Sequence, residues 1–194
     1  MEERNMTLFK NLNMMYQAEL AMIVCLVLAF IPFINIIAVF VLLVAAIINI
    51  VALVGLRNVH RDYYSAIGML VVGVLLALFG RGEGTTAFLF ETGSSIAKLL
   101  QSYLIIRATN RLLAELGPEQ EENIRRGKLV WKLCLLNALV GFATGLIPVE
   151  GNFALVVVTI LITLAFGVVA SVFNMIYLKA GSEAFRDAIP PETV

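Results

Sequence analysis

From Leu20 to Leu56 the chain carries no charged residue. As a single helix that run would extend on the order of 55 Å at 1.5 Å per residue, against a membrane hydrocarbon core of about 30 Å. It must fold back on itself. The only break is Ile31-Pro32-Phe33-Ile34-Asn35, where proline lacks the helix donor and restrains the residue before it. The pattern predicts a first span over 12–31 and a second over 33–56. The polar link Arg57 to Asp62 leads to a third span over 63–80, and Gly80-Arg81-Gly82-Glu83-Gly84 reads as a turn. A fourth span over 85–106 is less apolar, because Glu91, Lys98 and Gln101 lie within it. In the polar stretch that follows, Gly117-Pro118 stops one helix and starts another, with Glu119, Glu121 and Glu122 at the new N-terminus. The fifth span covers 129–147, ended by Pro148, and the sixth covers 153–178.

The distribution of Lys and Arg supports this count. With six spans and cytoplasmic termini, Arg4, Lys10, Arg57, Arg61, Arg107, Arg111, Arg125, Arg126, Lys128, Lys179 and Arg186 share the inner side, and the outer side keeps Arg81. Were the fourth segment not a span, Arg125, Arg126 and Lys128 would fall outside. The expected fold is therefore an all-α integral membrane protein. It is a six-transmembrane-helix bundle of three hairpins forming a single domain over 1–194, both termini cytoplasmic. Ile31-Pro32 and Ile147-Pro148 sit at equivalent outer turns, which hints that the first and third hairpins are related.

Composition agrees with the pattern. Of the 194 residues, 60% are hydrophobic and 14% charged, and the mean hydropathy is +0.93. A soluble domain carries roughly 25% charged residues, so a water-soluble globule is excluded, as is a disordered chain. The net charge is zero, which gives nucleic acid no electrostatic purchase. Arg4 and Lys10 before an apolar run resemble a signal peptide, but Glu2, Glu3 and the lack of a cleavage pattern favour a retained first span. The expected location is a plasma membrane of the bacterial inner-membrane type.

Polar groups inside a bilayer are costly and point to function. Glu91, Ser94, Ser95, Lys98, Gln101 and Ser102 recur at spacings that place them on one face of the fourth span. Such a face either lines a water-filled path or forms an interface with another helix. Glu19 and Lys98 fall at similar depth, so an ion pair between them is expected, with Asn49 and Asn137 completing a polar layer. Small residues suggest close helix packing: Gly141 with Gly145, Gly73 with Ala77, and Gly167 with Ser171. Cys25 and Cys134 lie in apolar runs and read as small buried hydrophobes.

Enzyme chemistry is not expected. His60 is the single histidine and has no cysteine partner at metal-ligand spacing. The glycine-rich turn at 80–84 follows no strand and lacks Gly-Lys-Ser/Thr, so it is no phosphate loop. No cofactor and no metal are expected; the expected partners are the lipid bilayer, a homo-oligomeric copy or another membrane protein. Two functions fit the sequence: a channel- or transporter-like bundle with the fourth span as its polar helix, and a non-transporting scaffold or accessory subunit.

Overall fold

The structure is a computed structural model that describes residues 1–28, 35–80, 85–145 and 153–190. Six α-helices occur in chain order: α1 (Glu2–Leu28), α2 (Asn35–Gly55), α3 (Arg61–Phe79), α4 (Thr85–Leu116), α5 (Glu121–Gly145) and α6 (Phe153–Asp187). The Ile-Pro turns and the glycine-rich turn, with the hairpin relationship inferred from them, lie outside the described residues. Gly117 adopts φ 139°, open to glycine alone at little cost, and Pro118 then opens a short 3-10 turn into α5. His60 caps α3 by accepting the Asp62 N–H at Nδ1, 3.1 Å away.

Among the described residues four helical segments are long and apolar enough to cross a membrane: Ile36–Gly55, Arg61–Phe79, Pro118–Thr144 and Val157–Asp187. Their outward faces are those of no water-soluble protein. Ile36, Phe40, Leu43, Leu78, Leu161 and Phe79 are all exposed, which water would oppose at roughly 25 cal/mol for each Å² of apolar surface. An all-helical bundle with such an exterior is consistent with a membrane protein. α1 and α4 are mixed: they carry Glu19, Glu91, Lys98 and Gln101 among apolar neighbours.

Several helices outrun the predicted spans, all at the same end. α1 begins at Glu2 rather than Leu12, α4 continues to Leu116, α5 begins at Glu121, and α6 continues to Asp187. The overhangs are held by the main core, in which Leu8, Leu12, Leu56, Leu112, Leu113 and Phe185 are almost wholly buried. Amphipathic turns that meet partners continue the helix past the apolar run, because tertiary burial rather than local propensity stabilises them. Two tyrosines add directional bonds. The Thr109 hydroxyl donates to the Ile105 carbonyl at 2.9 Å, so Tyr63 donates to Thr109 at 2.8 Å. Tyr177 on α6 donates to Asn110 Oδ1 on α4, at 2.9 Å. Each such bond contributes on the order of 1 kcal/mol net.

The helices form a ring. α1 packs on α2 and α6, α5 on α6 and α4, and α4 on α3, while a shorter contact between α2 and α3 closes the circuit. Six cylinders in a ring leave a space about one helix wide, on the order of 10 Å. At the end of the overhangs that space is filled by the core just described. Elsewhere it is not filled.

Candidate functional site: a polar cavity inside the helix ring

Beyond the packed end lies a cavity of about 1570 Å³ lined by α1, α2, α4, α5 and α6. Met15, Ile106 and Leu178 form its floor and belong to, or adjoin, the packed core. The polar groups sit on the walls. α4 presents Glu91, Ser95, Lys98, Gln101 and Ser102, α1 presents Glu19, α2 presents Asn49 and α5 presents Asn137. The polar stripe and the polar layer read from the sequence thus share one cavity.

Ser94 is the exception to the stripe. It is buried and donates from Oγ to the Gly73 carbonyl on α3, at 3.0 Å. Gly73 is buried at that contact, where an added Cβ would stand 3.4 Å from Ala97 Cβ, an ordinary van der Waals distance. Ser94 is therefore a clasp between α3 and α4. Ala77, the expected packing partner of Gly73, is exposed instead.

The other small residues behave differently. A Cβ added to Gly141 meets nothing within 4 Å, and Gly141 lines the cavity. Gly167 and Ser171 also line it, Gly167 opposite Asn137 at 3.8 Å from an added Cβ to Oδ1. These positions keep the walls thin, and neither glycine stands at a close backbone approach. Gly145, the other member of the expected pair with Gly141, is the last residue of α5.

Glu19 and Lys98 do not form the expected ion pair; none joins them among the described residues. The ring order explains this. α1 and α4 stand on opposite walls, separated by α6 and α5 on one side and by α2 and α3 on the other. Equal depth in the sequence does not bring two helices together. Glu19 instead accepts a 2.9 Å hydrogen bond from Asn174 Nδ2 on α6. Lys98 leans its stem toward Gly73, its Cγ 3.9 Å from an added Cβ, and stays exposed to the cavity. Asn137 lines the cavity, but its Oδ1 is buried beside Gly167 and has no hydrogen-bond donor among the described residues.

Comparison with family models, curated proteins and solved structures finds no match.

Sequence reasoning missed the contribution of α6. Thr159, Thr163, Gly167, Ser171 and Asn174 recur at four, four, four and three residues, which is one helical face, and all five line the cavity. Thr163 and Thr144 of α5 approach to 3.5 Å across that wall. The signal was present but diluted, because Thr and Ser bond to their own helix and pass as apolar-compatible: Thr163 donates to the Thr159 carbonyl at 3.0 Å. Cys134, expected as a buried hydrophobe, is half-buried and lines the cavity, whereas Cys25 is buried as expected.

The arrangement can hold a polar solute. It offers two carboxylates, one ammonium, several amides and several hydroxyls within an apolar frame of Met22, Phe88 and Phe142. Among the described residues no cluster of three or more metal-binding side chains occurs.

Proposed function

We propose that this chain is a six-span plasma-membrane bundle with cytoplasmic termini and a channel- or transporter-like function, its central cavity admitting a small polar solute or ion. One observation carries the proposal. Polar side chains from five helices converge on one interior space, while the outward faces of the same ring are apolar. In lipid that inversion is costly unless the interior is wetted. α4 is the lining helix, and the one-sided Lys and Arg distribution supports placing the packed end in the cytoplasm.

The test is flux through reconstituted vesicles. Lys98→Leu should change ion selectivity or rate, since a charge in a narrow wall sets the local barrier. A parent protein that passes neither ions nor small polar solutes would sink the proposal. One observation favours a second reading, a non-transporting membrane component: the floor of the cavity is fully packed by Leu12, Leu112 and Tyr177. On that reading Lys98→Leu alters stability or assembly alone.

A further inference from the structure

A second feature is a cleft between α4 and α5 of about 310 Å³, separated from the central cavity by Ile106, which lines both. Tyr103, Ile106, Arg107, Arg111, Lys128 and Trp131 line it. The surface within the cleft is almost wholly apolar, although Arg107, Arg111 and Lys128 lie along it. The Tyr103 and Trp131 rings pack at 4.9 Å between centroids, tilted by 54°, on the side of the apolar runs. Exposed Leu100 continues the α4 face one turn further, whereas on α5 Leu135 and Leu139, beyond Trp131, line the central cavity. Arg107, Arg111 and Lys128 stand on the other side.

Basic residues near span ends are expected from topology alone, but these three converge on one cleft and are not neutralised there. Arg107 Nε and Arg111 Nη1 both lie 3.3 Å from the same oxygen of Asp62, which orients the two guanidiniums and cancels one of their two charges. Both keep about half their side-chain surface exposed. Lys128 makes no ion pair among the described residues. Glu115 and Glu122 are engaged by Arg4 and by Arg125 and Arg126, while Glu121 shares the α5 face of Ile124 and Lys128 and makes no ion pair among the described residues. Counting Asp62 and Glu121, the cleft keeps a surplus of one positive charge beside an aromatic pair and the exposed Leu100.

We propose that this cleft binds the headgroup of an anionic phospholipid. The phosphodiester lies among Arg111, Arg107 and Lys128, and an acyl chain runs past Trp131 and Tyr103 along Leu100. A zwitterionic headgroup gains less, because its ammonium would meet a cleft whose net charge is positive. The inference rests on the membrane placement proposed above, and not on transport.

Trp131 is the sole tryptophan, so its fluorescence reports on this cleft. The full-length protein is reconstituted in phosphatidylcholine vesicles, and Trp131 quenching is titrated with acyl-brominated phosphatidylglycerol or acyl-brominated phosphatidylcholine. The phosphatidylglycerol should quench at several-fold lower mole fraction. Lys128→Gln should reduce that preference about fivefold, the effect of one basic charge near an anionic surface. Lys128 has no ion-pair partner to lose, so this variant should fold, and Arg111→Gln provides a second reading. Equal quenching by both lipids, or an unchanged preference in Lys128→Gln, overturns the lipid site and leaves the membrane placement intact. Absence of quenching by either lipid overturns both. Relief of quenching by millimolar inorganic phosphate would assign the cleft to a free anion and overturn the lipid proposal.

Discussion

The carboxylate of Glu19 and the amide of Asn174, 155 positions apart in the chain, meet across the α1–α6 seam at 2.9 Å on the wall of the central cavity. The bond gives the carboxylate on the cavity wall a donor that Lys98, on the opposite wall, does not supply. It also fixes the closing helix of the ring against the first one.

Removing that donor should be felt. Asn174→Leu leaves the Glu19 carboxylate with one donor fewer in a largely apolar wall, a loss of about 1–3 kcal/mol. Thermal unfolding in detergent should show a lower midpoint, and Glu19→Gln in the same background should recover part of it. Unchanged midpoints in Asn174→Leu would remove the bond from the account of stability.

Cys134 is a native reporter of the cavity. A small water-soluble thiol reagent should label Cys134 readily and Cys25 hardly at all, because Cys134 lines the cavity and Cys25 is 3% exposed. Mass spectrometry of the two peptides gives the ratio. Faster labelling of Cys25 would mean that water does not reach the cavity.

The glycines separate packing from lining. Gly141→Ala meets open space and replaces the poorer helix former, so stability should hold or rise by up to about 1 kcal/mol. Gly73→Leu must force α3 away from Ser94 and Ala97 of α4, and should cost about 1–3 kcal/mol, the usual penalty of overpacking. Detergent melts of the two variants check both signs.

Topology is open to direct labelling. With Cys25 and Cys134 replaced, Gln120→Cys in the turn between α4 and α5 should react with an impermeant maleimide only after the cells are opened. Reaction in intact cells would invert the proposed orientation or remove a span.

The sequence by itself determined the helices and the identity of most polar wall residues. Uninterrupted apolar runs broken by Pro and Gly leave few other foldings of the chain, and a three- and four-residue recurrence on α4 is a property of one helix alone. Neighbour relations are not. Ser94 shares the α4 stripe, yet a few tens of degrees of rotation turn it to Gly73 instead of the cavity, and only packing against α3 sets that rotation. Glu19 and Lys98 share a depth, yet the ring order sets them on opposite walls. The overhanging turns of α1, α4, α5 and α6 were invisible because they are polar enough to read as loops, and their helicity comes from a common core assembled from six helices. Local pattern fixes what each helix can offer; which face meets a partner, and which meets the cavity, is decided by the collective burial of the bundle.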